Sequence, residues 1–147
     1  YTFIKRGSPP PSMVSFDAIS REICTVKREN TSTPLQALVL LNDTQYFEAA
    51  RFLAERLKHQ KGTTLEEKLI NGFRLVTSRF PKQQELDILL NQYKRQLSHF
   101  KKHPQEAKKI IQVGDKKADS NLNLTELGAL TIVANTLLNH TESYYKR

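Results

Sequence analysis

The stretch that decides the fold is RENTSTPLQALVLLND, residues 28–43. A polar, charged run stops at Thr33 and Pro34, and a dense apolar block follows at once. Thr33 with Gln36 three residues later forms a capping-box pattern, and Pro34 occupies the first helical position. The pattern predicts that a helix begins here. Because apolar residues lie on nearly every side of that helix, we also expect it to be buried.

Helical periodicity continues along the rest of the chain. Asn42 and Asp43 break the first helix, and they open a second helix whose solvent-facing side is expected to carry Arg51. That second helix is predicted at 44–59. A further helix is predicted to begin at a second capping box, residues 64–67, and to end near 77–80. Others are predicted at 82–102, at 105–113 and after residue 123. Glu126 is the expected return partner in the last cap, and residues 144–147 are expected to fray. Sequential helices with short connectors predict an all-α fold, an irregular helical bundle of about five to six helices.

The N-terminal segment has a different composition. Residues 1–13 read YTFIKRGSPPPSM, and three consecutive prolines disfavour the interior of a helix or a central strand. We expect residues 1–33 to form an extended Pro-rich arm with an irregular segment, and residues 34–147 to form one helical domain. Because the chain starts with Tyr1 rather than Met, we expect it to be a fragment of a longer parent protein.

The formal net charge of +8 raises nucleic acids, anionic polymers and acidic proteins as classes of partner. The basic residues are scattered in pairs, and aromatic residues do not alternate with arginines as they do on surfaces that stack single strands. The pattern therefore disfavours nucleic acid. The longest apolar run, residues 37–41, is far shorter than the ~20 residues of a membrane-spanning helix, so no membrane span is expected.

Few residues suggest a catalytic or ligand-binding role. Cys24 is the one cysteine, and it is either a small half-buried apolar residue or a reactive thiol activated by nearby cations. Arg21, Glu22 and Arg28 belong to a polar cluster that fits either a structural salt-bridge network or an active site. No arrangement typical of a catalytic, cofactor-binding or metal site is found, so none is predicted.

Three asparagines adjoin apolar positions where a buried amide needs hydrogen-bond partners. They are Asn42, Asn135 and Asn139. We expect them to bond to the backbone of residues 28–33, around Asn30, and so to form a polar latch between the arm and the helices. The alternative is a site for a small ligand at the same place.

The first third of the chain also carries a recognisable pattern, YTFIKRGSPPPSMVSFDAISREICTVKRENTSTPLQALVLLND. It resembles the C-terminal domain of unknown function that is found in planctomycete cytochrome c-like proteins. Two later stretches, FRLVTSRFPKQQEL (73–86) and LTELGALTIVANTLLNHTES (124–143), are similar to segments of that family as well. The family usually has glycine where this chain has Ser78.

The resemblance implies a module of a large, exported, multidomain bacterial protein of the periplasm or cell envelope. A cytochrome c-like segment with a Cys-x-x-Cys-His haem motif often lies upstream in that family; the motif is absent here, so no cofactor is expected in this chain. The implied function is non-catalytic packing on other domains of the parent protein. The alternative is part of a polysaccharide-processing or glycan-binding enzyme, which would need exposed aromatic rings beside carboxylates.

Overall fold

The computed structural model describes residues 7–19, 24–27, 31–60 and 62–145. Within those ranges the protein contains eight α-helices and no β-strand, which confirms the predicted all-α fold. The helices are α1 (Pro11–Ser15), α2 (Pro34–Asn42), α3 (Thr44–Lys58), α4 (Leu65–Thr77), α5 (Gln83–Lys102), α6 (Pro104–Ile111), α7 (Leu124–Leu138) and α8 (Thr141–Tyr144). None of these described helices has both the length and the apolar character that a bilayer crossing requires.

Side-chain caps define where the helices begin. In α2 the Thr33 hydroxyl accepts a hydrogen bond from the Gln36 amide at 3.3 Å, and Gln36 Oε1 accepts from the Thr33 amide at 3.2 Å. This capping box confirms the predicted helix start. The Asp43 carboxylate likewise accepts from the Gln45 amide at 2.8 Å and caps α3. Each cap satisfies N–H groups that have no partner within the first turn of the helix.

Helix α7 lies at the centre of the bundle, with α3, α5 and α6 packed around it. Because its neighbours cover it on most sides, nine of its residues are buried and its sequence is apolar nearly all round. The Asn123 side chain caps it by accepting from two backbone amides. The predicted return partner, Glu126, instead pairs with Lys58 on α3.

Both ends of the described chain are more helical than predicted. The extended Pro-rich arm is wrong for residues 11–15, which form α1. Pro11 occupies the first helical position, where its missing N–H costs no hydrogen bond and its fixed φ suits a helix. Near the other end, Tyr144 belongs to α8 rather than to a frayed tail, and His140 caps that helix through Nδ1.

Helix α2 forms where predicted, but the prediction that it is buried on nearly every side is wrong. Only Gln36 and Leu40 of its residues are buried. Leu35, Leu38 and Leu41 are 55%, 56% and 42% exposed. The helix packs on α3, α7 and α1 along one side only, so the rest of its apolar surface has no cover within the described residues.

Arg51 was placed on the solvent-facing side of α3 by the periodicity, and this too is wrong. Its side chain is fully buried at 0% relative exposure. The guanidinium donates to Glu55 at 2.9 Å, to Glu48 at 3.2 Å and to the backbone carbonyl of Lys116 at 2.7 Å. The loop that follows α6 therefore covers this side of α3 and is fixed to it by an arginine.

Ser78 ends α4 in the left-handed conformation, with φ 62° and ψ 11°. A side chain destabilises this conformation, and glycine does not carry that cost. We expect Ser78→Gly to raise the free energy of unfolding by about 0.5–1 kcal/mol in chemical denaturation. Ser78→Ala is the matched control, because it removes the hydroxyl but keeps the strain. Equal stability of the two variants would contradict this reading of the cap.

Candidate functional site

A cleft in the described part of the chain has a volume of about 600 Å³. It lies between the end of α1, the start of α2, the end of α4 and helix α8. Three aromatic residues, Phe16, Tyr144 and Tyr145, line it beside two carboxylates, Asp17 and Glu142. Phe16 itself packs edge-on against Tyr144, with ring centroids 6.3 Å apart. We call this the aromatic cleft.

One wall of the aromatic cleft is a hydrogen-bonded chain that ties the N-terminal segment to α2. The Asp17 carboxylate accepts from the Thr31 amide at 2.7 Å and from the Thr31 hydroxyl at 2.8 Å. The Thr31 hydroxyl in turn accepts from Gln36 Nε2 at 3.2 Å. Gln36 is only 2% exposed. Its side-chain Oε1 completes the capping box, and its Nε2 makes this link. Asp17 has φ 56°, a left-handed conformation held in place by these contacts.

None of the three asparagines of the predicted latch bonds to residues 31–33. Residues 28–30 lie outside the described residues, so the part of the latch that involves them stays a prediction. Asn42 Nδ2 donates to the carbonyl of Leu38 in its own helix, at 2.9 Å. Asn135 Nδ2 donates to the carbonyl of Leu41 at 3.3 Å, so it holds the end of α2 rather than residues 31–33. The buried Oδ1 atoms of Asn135 and Asn139 accept no hydrogen bond from the described residues.

The other predicted site residues divide into two groups. Thr33, Pro34, Gln36 and Asp43 are structural, since they cap or open helices. Cys24 is exposed, which excludes the half-buried interpretation and leaves a solvent-facing thiol. Arg21, Glu22, Arg28 and Asn30 lie outside the described residues. The salt-bridge or active-site cluster predicted around them therefore stays a prediction.

Glu142, which lines the aromatic cleft, belongs to an arginine bridge that sequence analysis missed. Arg79 donates to both oxygens of Glu85, at 2.7 and 2.8 Å, and to Glu142 at 2.7 Å. Its guanidinium also lies 4.8 Å from the centroid of the Phe73 ring. The bridge joins the end of α4 to the start of α5 and to α8. The sequence around Arg79 did not indicate this bridge, because its partner Glu142 is 63 residues away.

The bridge shifts the acid–base behaviour of its carboxylates. The hydrogen bonds from Arg79, then that from the Lys82 amide, lower the pKa of Glu85 to about 2. The hydrogen bond from Arg79 likewise lowers the pKa of Glu142. Both groups are therefore ionised at neutral pH. They can accept hydrogen bonds, but they are poorly suited to donate a proton as a general acid.

The same shift makes stability depend on pH in acid. Because the folded-state pKa of Glu85 is lower than its usual 4.5, its stabilising effect is complete above that value and is lost as pH falls toward 2. We expect Glu85→Gln to lose less free energy of unfolding than the wild type when pH is lowered through this window. Denaturant titrations at several pH values measure this. Parallel losses in the two proteins would contradict the bridge.

The aromatic cleft is therefore better equipped for binding than for catalysis. Asp17 is held by Thr31, and Glu142 is held by Arg79. For a ligand, the cleft offers the half-exposed rings of Tyr144 and Tyr145, which present flat apolar faces, and the exposed Glu142 carboxylate, whose lone pairs can accept from hydroxyl groups. Within the described ranges, no group of three or more His, Cys, Asp or Glu residues is placed to hold a metal ion.

The fold and the cleft define this chain as an all-α module whose N-terminal segment is fixed onto α2. Residues 1–93 match the family model described as "PSD1: Protein of unknown function (DUF1553)". The match covers more than half of the chain, and the chain belongs to this family. It extends from the N-terminal segment to Tyr93 in the middle of α5. No curated protein and no solved structure matches the chain.

Proposed function

We propose that this chain is a non-catalytic helical module that packs on another domain of a longer protein through the exposed face of α2. The observation that carries the proposal is the exposure of Leu35, Leu38 and Leu41 on a helix whose opposite side is anchored. Their spacing of three residues places them on one side of the helix. We call this surface the leucine face.

The exposed apolar residues are concentrated near the leucine face in the sequence. Eleven large apolar residues are exposed in the described chain, and six of them lie within residues 14–41. The other three in that segment are Val14, Ile19 and Val26. Three exposed leucines on one side of a helix form an apolar patch, and such a patch marks a protein interface more often than ordinary solvent exposure. The short helix α1 packs on α2, so Val14 lies on an element adjacent to the leucines.

The setting of the proposal comes from the family resemblance. Proteins of the resembled family carry further domains upstream of this one. Such a domain in the parent protein of this chain would supply the apolar surface that covers the leucine face. On the same resemblance, we propose that the parent protein is exported to the periplasm or cell envelope. We also propose that any haem lies in an upstream segment rather than in this chain.

The test is a calorimetric titration of this chain with the separately expressed remainder of its full-length protein. We expect saturable binding, and we expect Leu35→Gln with Leu38→Gln and Leu41→Gln to weaken it by at least about tenfold, because half-burying three leucines contributes a few kcal/mol. Ile88→Gln with Leu124→Gln is the control, since these residues are similarly exposed on other helices, at 64% and 43%. Equal weakening in both variants, or no binding by the wild type, would contradict the proposal.

A second candidate function is glycan binding in the aromatic cleft. Phe16, Tyr144 and Tyr145 beside Asp17 and Glu142 supply the aromatic rings and carboxylates that such a site needs. Sugar rings pack on aromatic faces, and their hydroxyl groups donate to carboxylates. Titration with neutral oligosaccharides of several linkages tests this, with Tyr145→Ala as the variant. The absence of saturable binding to every linkage would remove this candidate.

A further inference from the structure

A second cleft, of about 510 Å³, lies between α3 and α4. Its lining is Arg56, Gln60, Asn71, Arg74, Leu75 and Ser78, with no carboxylate among these residues. Ser78 also lines the aromatic cleft, so the two clefts adjoin at the end of α4. We call the second one the arginine cleft.

The two arginines of this cleft carry charge that the described residues do not neutralise. Both side chains are exposed, and neither takes part in any ion pair of the described chain. The Arg74 guanidinium stacks over the Phe80 ring, 4.3 Å from its centroid. A stacked guanidinium uses its flat face for the ring, and its N–H donors point outward in the plane. Stacking therefore orients Arg74 without using its hydrogen-bonding capacity.

A simpler explanation accounts for each arginine separately. Arg56 and Arg74 lie in the last turns of α3 and α4, where a cation interacts favourably with the helix dipole. That explanation does not require the two cations to line one cleft, where they repel each other. An anion between them would offset that repulsion and would accept hydrogen bonds from both.

Uncharged donors complete the arrangement. Asn71 Nδ2 donates to Gln60 Oε1 at 3.2 Å, which fixes the orientation of the Gln60 amide. The Nε2 group of Gln60 forms no hydrogen bond within the described residues and is left to donate. The Ser78 hydroxyl lies on the rim of the same cleft. Guanidinium, amide and hydroxyl donors without a carboxylate match a ligand group made of several negatively charged oxygens.

We propose that the arginine cleft binds an oxyanion group, such as a sulfate, a phosphate or a carboxylate, on a partner molecule. Arg56 and Arg74 supply the charge and the paired N–H donors, and Gln60 adds a neutral donor. The site uses none of the residues of the leucine face, so it stands independently of the proposed packing function.

The test is an NMR titration of the full chain, at constant ionic strength, with methyl sulfate, methyl phosphate and acetate in separate arms. We expect saturable shifts at the side-chain amides of Gln60 and Asn71, and the tightest-binding arm identifies the oxyanion. Arg56→Gln and Arg74→Gln should each weaken binding by at least about fivefold. The matching lysine variants, which keep the charge but not the paired donors, should bind with intermediate strength.

Arg95→Gln is the control, because Arg95 is an exposed arginine on α5 that does not line this cleft. It should leave binding unchanged, and so should the triple leucine variant of α2. Equal weakening by Arg95→Gln would show general attraction to a basic protein and would overturn the proposal. Shifts confined to other residues, or no saturable shifts in any arm, would overturn it as well.

Discussion

Replacement of Arg51 by methionine is expected to cost about 3 kcal/mol of the free energy of unfolding. Methionine retains much of the aliphatic volume but leaves Glu48, Glu55 and the Lys116 carbonyl without their shared donor. The side chains of Glu48 and Glu55 are only 18% and 12% exposed, so water replaces the lost contacts poorly. For a chain of this size the loss corresponds to a fall in Tm of roughly 6–12 °C.

Differential scanning calorimetry measures this effect, and Arg95→Met is the matched control. Arg95 is exposed on α5, so its replacement should change Tm by no more than about 1–2 °C. A cost below about 1 kcal/mol for Arg51→Met would show that the buried charge is not what fixes the loop after α6.

Gly114→Ala is expected to destabilise the same region by roughly 2–4 kcal/mol. Gly114 has φ +102°, a conformation that side chains rarely adopt. A Cβ atom there would lie 2.5 Å from Glu48 Cδ and 2.8 Å from Glu48 Cβ, so the root of that side chain would have to move. Glu48 accepts from the Lys116 amide at 2.8 Å and from Arg51, and both contacts would be disturbed.

Gly62→Ala separates backbone strain from crowding. Gly62 also has a positive φ, of 72°, but a Cβ there would meet no atom within 4 Å. Its replacement should therefore cost only about 1 kcal/mol in denaturant titration. Similar costs for the two alanine variants would contradict the crowding against Glu48. Because Gly114 and Arg51 act through the same carboxylate, the double variant should lose less than the sum of the single losses.

Local chemistry explains what could be predicted from the sequence. The start of α2 depends on Thr33, Pro34 and Gln36 within four positions, and the caps of α3 and α4 are just as local. The helical spacing of the apolar residues then predicted the other helices and the all-α fold class. Proline misled the prediction for α1, because the same residue that breaks a helix interior also opens a helix.

Burial and partners could not be predicted, because they depend on contacts between distant parts of the chain. Arg51 shares a helix face with charged residues, and its third acceptor is 65 residues away. Asn135 was predicted to bond to residues 28–33, but its Nδ2 reaches the end of α2, 94 residues away. The leucine face is the opposite case, because the sequence predicted burial there and the structure shows exposure. An apolar helix predicts burial, and only the packing shows which of its sides lacks a neighbour.

The measurement that tests the central claim most directly is methyl NMR of leucine-labelled protein with a soluble paramagnetic probe. We predict strong broadening of the methyl signals of Leu35 and Leu38 in the chain alone, and none for the buried Leu57 and Leu69. Adding the remainder of the full-length protein should then protect Leu35 and Leu38. Protection of these two residues in the chain alone, or continued broadening at saturating partner, would contradict the proposal that the leucine face is the docking surface.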